Sequence, residues 1–492
     1  MSPEANPIAH FFAVLERYAW QPARPALRGS RETWSYARLL QESLARAAWL
    51  REREVQRLVL DLPNGPELLG WDLAALRAGI PCVLLPDFFS AEQRAHVLRD
   101  SGADFLLGRA ERSAEWRAAG FTEADGAWRR PSVERTALPA HTAKLTYTSG
   151  TTGTPKGVCL RAAALLRVAA SLESASRPLA PQRHQVLLSL GILLENLGVY
   201  AALLAGAEVL VLDGADQGIS GSVGIDWARL AGCLQQRQPH SLILMPQLLQ
   251  GLVELAERGL LRLDELSFAA VGGAPLSEAL QMRAAALDLP IFQGYGLSEC
   301  ASVVALNHPG ATRLGSVGQP LPHVHLRLAA DGEVLVGGAD FAGYLGQPDS
   351  ATDEIATGDL GYFDADGYLY LRGRKKHQFS LASGRNVDPG WIEAELTQGG
   401  PIAQAYVQGE GARHLAALLW PRQAGTSDAE LAAFVAQLNQ HLPDYARIGA
   451  WQRLTEPFTP ANGLLTATGR LRRDAIQAQY AALLSDLLEV HP

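Results

Sequence analysis

Over about the first 370 residues, short apolar runs of strand character alternate with amphipathic stretches of helical period. This alternation constrains the fold most, because strands separated by helices pair in parallel and need helices over their faces. The expected strands are 57–62, 82–85, 186–190, 208–212, 241–244 and 268–271, with helices at 66–77, 91–100, 160–172, 225–236 and 277–286. From about Gly315 the texture changes. Runs at 323–328, 333–336 and 368–372 lie near Asp331-Gly332 and Asp366-Gly367, dipeptides that favour tight hairpins, so a small antiparallel, β-barrel-like region is expected. The last block mixes helices at 389–396 and 428–440, strands at 403–407 and 415–420, and a C-terminal helix. The expected class is α/β. A large N-terminal domain of parallel-rich sheets, 1–375, carries the barrel-like region, and a small α+β domain, 376–492, follows it.

The net charge of −8 speaks against a nucleic-acid binder, which would usually carry a basic face. The cysteines Cys82, Cys159, Cys233 and Cys300 are scattered and lack the spacing of a zinc site, which suits reduced thiols in a cytoplasmic protein. The N-terminus shows no signal-peptide pattern. The most apolar stretch, 197–212, is broken by Glu208 and is shorter than the about 20 residues of a bilayer span, so it reads as a buried helix and strand. Lysine is rare. Only Lys144, Lys156, Lys375 and Lys376 occur among 43 basic residues, leaving 39 arginines, and three of the four lysines fall inside the motifs below.

The segment Leu145-Thr-Tyr-Thr-Ser-Gly-Thr-Thr-Gly-Thr-Pro-Lys-Gly157 packs hydroxyls, glycines and one lysine between two regular elements. Glycines let backbone N–H groups turn inward as an anion-binding nest. Thr148, Ser149, Thr151 and Thr152 add hydroxyl donors, Gly150 and Gly153 add freedom, and Lys156 adds a point charge. The spacing does not fit a Walker A loop. A surface loop rich in Ser, Thr and Gly is the plain alternative, but such loops seldom gather so many donors around a lysine.

This loop resembles the phosphate-loop signature of the adenylate-forming superfamily, which includes acyl-CoA synthetases, non-ribosomal peptide synthetase adenylation domains and firefly luciferase. Further motifs follow in that superfamily's order. Gly272-Gly273-Ala274-Pro275 resembles the segment beside the adenine. Gln293-Gly-Tyr-Gly-Leu-Ser-Glu299 resembles its tyrosine-glycine motif, which implies that Tyr295, followed by Gly296, packs on the adenine. It also implies that Ser298 reaches the α-phosphate or the acid, and that Glu299 holds Mg²⁺. Thr357-Gly-Asp-Leu-Gly361 implies a ribose contact by Asp359, whose two oxygens suit a vicinal diol. Gly373-Arg374-Lys375-Lys376 implies a ribose contact by Arg374 and a hinge at Lys376, about which the small domain rotates. Gly384, in 383–389, would line the channel for the thiol acceptor. Near the C-terminus the family usually has a lysine that assists adenylation, and Arg470 stands there in this chain. Arginine keeps the charge and brings a larger planar fork.

Residues 293–307 and 373–386 look most like the bacterial long-chain acyl-CoA synthetase branch. In the segment 188–196, Ile192 stands where that branch often has His, which suits an apolar acid. The resemblance implies an ATP- and Mg²⁺-dependent ligase that makes an acyl-adenylate and passes the acyl group, most readily a fatty acyl group, to coenzyme A. A carrier-protein thiol or an amine is the alternative acceptor, and a catalytically impaired nucleotide-binding relative is the further alternative.

Overall fold

The computed structural model describes residues 6–130, 136–148, 155–221, 224–347, 350–466 and 469–489. One large sheet centres on the parallel strands Cys82–Leu84, Leu58–Asp61 and Phe105–Gly108. Leu58, Val59 and Leu60 are fully buried, which is why such strands read as unbroken apolar runs. Beside Cys82–Leu84 lies Thr142–Thr148, followed by Lys156–Arg161 and Phe341–Tyr344. Thr148 pairs with Lys156 across an antiparallel ladder, so the two ends of the phosphate loop are held together. Residues 149–154, the centre of that loop, lie outside the described residues.

The second large sheet is a parallel ladder of Pro25–Arg28, Glu208–Leu210, Arg183–Gln185, Ser241–Leu244, Phe268–Val271 and Ile291–Tyr295, with antiparallel strands at its edges. One core joins the two sheets. It takes Leu58 and Leu60 from the first, Val209 from the second, and Leu69, Leu165 and Leu197 from the helices Pro66–Ala78, Ala162–Ser176 and Leu193–Leu204. The barrel-like region is an antiparallel sheet of His325–Leu328, Glu333–Gly337, Glu354–Phe363 and Leu369–Arg374. The smaller C-terminal domain has its own core, around Ile392, Val407, Leu415 and Leu431, on a sheet of Ile402–Gln408, Leu415–Pro421 and Ile448–Arg453. It docks on the large domain through Gln398. The Gln398 amide donates to Pro275 O at 2.9 Å and accepts from Ser277 N at 2.7 Å. Among the described residues, no helix is long and apolar enough to cross a membrane.

Two expectations change in detail. The run 186–190 is not a strand; the ladder uses Arg183–Gln185 just before it. Leu187 and Leu188 are buried beyond the ladder because side chains satisfy the local backbone: Leu188 N donates to Glu195 Oε2 at 3.1 Å, and Leu188 O accepts from Asn64 Nδ2 at 2.8 Å. The C-terminal helix is two helices, Arg473–Gln479 and Ala481–Glu489.

Lys144, the lysine outside the motifs, is buried. Its ammonium donates to Asp72 Oδ1 at 2.9 Å and to Asn196 Oδ1, and lies 3.5 Å from Tyr200 Oη. Asp72 Oδ2 accepts from Asn196 Nδ2 at 2.9 Å and from Tyr200 Oη at 2.8 Å. The cluster ties Thr142–Thr148, the strand that leads into the phosphate loop, to the helices Pro66–Ala78 and Leu193–Leu204.

Candidate active site

Ligands of open α/β sheets settle beyond the carboxyl ends of the parallel strands. Here the strands Phe268–Val271 and Ile291–Tyr295 end at a cavity of about 2360 Å³. Its walls bring together Gly272, Gly273, Ala274, Tyr295, Gly296, Ser298, Glu299, Asp359, Arg374, Lys376, Arg470 and Lys156, residues from six separate motifs. Gly384 is not among the walls; it occupies the turn before the strand Asn386–Val387, at φ 76°. The side chain of Thr148, together with Ser149, Gly150, Thr151, Thr152 and Gly153, lies outside the described residues. Gly296 is required by space. A Cβ there would meet Ser302 O at 1.4 Å, so the main chain at 296 passes where no side chain fits.

One corner of the cavity is a pre-formed hydrogen-bonded set. Tyr295 Oη donates to Asp359 Oδ2 at 2.6 Å, and Arg374 Nε lies 2.7 Å from Asp359 Oδ1. Asp359 and Arg374 are cross-strand partners in the barrel-like sheet, so the backbone register brings the charges together. Burial pushes the Asp359 carboxyl above the usual range, while Arg374, the Tyr295 hydroxyl and Arg470 pull it back. Burial, followed by the Asp359 charge, raises the Tyr295 phenol and keeps it protonated as a donor. Each carboxylate oxygen has a second lone pair, so Asp359 can still accept from a diol.

Arg470 enters from the small domain. Its Nη2 donates to Gly273 O at 2.9 Å, and its backbone is fixed by Thr466, whose Oγ1 accepts from Arg470 N at 3.0 Å. Its surroundings lower the guanidinium pKa, burial first and Arg374 second, while Asp359 opposes them. The remaining donors of the fork are spare for an anion.

On another wall, Tyr344 stands between two charged residues. Its hydroxyl donates to Glu299 Oε1 at 2.8 Å, and the Lys156 ammonium lies 5.8 Å from its ring centroid. One oxygen of Glu299 is thereby held and the other is left for a ligand. A single carboxylate suits Mg²⁺, which is commonly completed by substrate phosphates and water. Among the described residues no group of three or more His, Cys, Asp or Glu side chains could hold a metal alone. Sequence reasoning missed Tyr344, because its partner Glu299 is 45 residues away and no local pattern links the two.

A second arm of the cavity is apolar. Its lining includes Leu194, Gly198, Ala201, Ala202 and Ala205, on and just past the helix Leu193–Leu204, together with Leu172, Ile243 and Phe268. From residue 194 to 205 this wall is about 16 Å long at helical rise. Polar side chains border it too: His184 Nδ1 lies 3.0 Å from Ser241 Oγ, and His184 Nε2 lies 3.2 Å from the buried Glu195.

Comparisons with known proteins identify the family. The profile of the AMP-binding enzyme family matches residues 15–345, and that of the AMP-binding enzyme C-terminal domain matches residues 376–490. The chain is 34% identical over 240 residues to the long-chain-fatty-acid–CoA ligase FadD15 of Mycobacterium bovis; the match takes in 43% of this chain and 40% of that ligase's length. It is 25% identical over 464 residues to a 2-succinylbenzoate–CoA ligase of Enterococcus faecalis, covering 87% of this chain and 91% of the relative. The solved anthranilate CoA ligase AuaEII, in complex with anthranoyl-AMP, shares the fold: TM-score 0.79 at 19% identity, over 96% of this chain and 98% of that one.

Proposed function

Because the chain belongs to the AMP-binding enzyme family, we propose that it activates a long hydrophobic carboxylic acid with ATP and passes the acyl group to the thiol of coenzyme A. The observation that carries this reading is the form of the cavity. One part is a charged, hydrogen-bonded corner suited to a nucleotide, and another is an apolar wall that runs along about 16 Å of helix, nearer the length of an extended fatty-acyl chain than of one aromatic ring.

In the first step an oxygen of the acid attacks the α-phosphorus of ATP. A P–O bond to the acid forms, the P–O bond to the β-phosphate breaks, and pyrophosphate leaves. Such a displacement asks the protein for positioning and charge neutralisation rather than covalent chemistry. Asp359, held by Tyr295 and Arg374, receives the ribose hydroxyls. Gly272, Gly273 and Ala274 flank the base beside Tyr295. Lys156 and the phosphate loop take the triphosphate, and Ser298 donates to the α-phosphate or the acid. Arg470 reaches in from the small domain beside Gly273 and offsets charge between acid and phosphate. Glu299 would hold Mg²⁺, which when bound supplies further neutralisation of the phosphates. In the second step the thiol sulfur attacks the acyl carbonyl. A C–S bond forms, the C–O bond to AMP breaks, and the thiol proton is lost to solvent.

The proposed division is a large domain, 1–375, and a small one, 376–492, with Lys376 as the hinge that lets the second step follow the first. The test is AMP release and thioester formation across a panel of fatty and aromatic acids, with and without coenzyme A. Long-chain acids giving both products support the reading. Acid-dependent AMP release that coenzyme A neither accelerates nor converts to thioester would move the assignment to another acceptor.

A further inference from the structure

The two strands that carry Asp359 and Arg374 hold a second group of side chains that adenylation does not use. Tyr362 of Glu354–Phe363 and Tyr370 of Leu369–Arg374 are cross-strand partners. Their rings stack at a centroid distance of 5.0 Å and an interplanar angle of 11°. The Arg372 guanidinium lies over the Tyr362 ring, 4.5 Å from its centroid. Tyr362 is 38% exposed, Arg372 is exposed, and all three residues line the same cavity as the nucleotide corner. Among the described residues Arg372 has no ion-pair partner, whereas its neighbours Arg374 and Lys375 each have one.

A tyrosine pair, one ring exposed and one half-buried, capped by an unpaired guanidinium is a platform with one free planar face, that of Arg372. Planar bases stack on such a face, and phosphates pair with the N–H fork at its edge. Arg374 and Lys376 continue the positive charge inward along the same wall. From Tyr370 to Arg374 the strand advances about 13 Å, too far for a base on the platform to reach the acid, but a span that a flexible arm can cross.

We propose that the Arg372–Tyr362–Tyr370 stack docks the nucleotide end of the acyl acceptor, an adenine nucleotide bearing a long thiol arm. The base rests on Arg372 at the cavity mouth, its phosphates meet Arg372 and Lys376, and the arm delivers the thiol to the acyl-adenylate. This rests on the reading that coenzyme A is the acceptor.

The experiment measures thioester formation against coenzyme A concentration and, separately, acid-dependent ATP–pyrophosphate exchange, which needs no acceptor. Tyr362→Ala and Arg372→Ala should each raise the KM for coenzyme A about tenfold, the range expected for loss of one base-stacking contact. Their exchange rates should stay at the wild-type level, and Tyr362→Phe, which keeps the stack, should restore the wild-type KM. An unchanged KM in both alanine variants, while the wild type still uses coenzyme A, overturns the platform alone. Equal loss of exchange and thioester formation also overturns it, because the residues would then serve the fold. If the wild type makes no coenzyme A thioester but transfers to a carrier protein, the acceptor reading falls and the platform with it.

Discussion

Replacing Lys144 by Met tests how the fold secures the strand that ends at the phosphate loop. Both partners of the Lys144–Asp72 pair are out of water, with side-chain exposures of 7% and 1%. Removing the ammonium leaves a buried carboxylate with two neutral donors, Asn196 Nδ2 at 2.9 Å and Tyr200 Oη at 2.8 Å, and strips Asn196 Oδ1 of its cationic donor. Breaking a buried ion pair from one side costs about 3–5 kcal/mol. The two surviving hydrogen bonds place this case at the lower end, about 3 kcal/mol. Neutralising the carboxylate as well removes most of that penalty, so Lys144→Met combined with Asp72→Asn should be more stable than Lys144→Met alone. Urea unfolding followed by tryptophan fluorescence gives the midpoints for a double-mutant cycle. A Lys144→Met midpoint equal to wild type, or strictly additive losses in the double variant, would show that the pair does not hold the strand.

The other expectations concern the cavity and its pH range. Lys156→Ala and Asp359→Ala should each lower ATP–pyrophosphate exchange by about a hundredfold, the scale of losing charge-assisted contacts to the nucleotide; wild-type exchange in both would remove these residues from the site. Gly198→Val should shift acid preference towards shorter chains, because a Cβ at 198 would lie 2.1 Å from Ile243 Cδ1 and push that side chain into the apolar arm; an unchanged chain-length profile would place the acid elsewhere. His323 and His377 are held down to about 4, mainly by burial, against about 6.5 in the unfolded chain. The unfolded state therefore binds more protons between these values, and stability should fall as pH drops from about 6.5 to 4. His377→Gln should make that fall shallower, and an unaltered slope would contradict the assignment.

The parallel layers were legible because strands such as Leu58–Asp61 and Ser241–Leu244 are buried on both faces and separated by helices of clear period. The motif residues were legible as types, since a nucleotide needs hydroxyls, an aromatic face, a carboxylate and cations. What local pattern could not show was pairing at a distance. Nothing near Tyr344 points to Glu299, and nothing near Lys144 points to Asp72 and Tyr200, because these contacts arise only when separate elements meet. The run 186–190 misled for a related reason. Its apolar character reports burial: only Val186 N still reaches a neighbouring strand, at Leu210 O, and beyond it Glu195 and Asn64 satisfy the backbone of Leu188. The Tyr362–Tyr370 stack likewise depends on a register that neither strand states alone.

Arg470 is where this chain departs most from the residue types its motifs imply, and under the proposed function its position beside Gly273 and Asp359 would give it a direct part in the first step. The most direct test of the central claim is therefore acid-dependent exchange of labelled pyrophosphate into ATP by the purified protein, with a long-chain fatty acid and no thiol present. Exchange should require the acid and Mg²⁺ and fall sharply in Arg470→Ala. ATP binding without any acid-dependent exchange, across acids of every chain length and ring type, would contradict it.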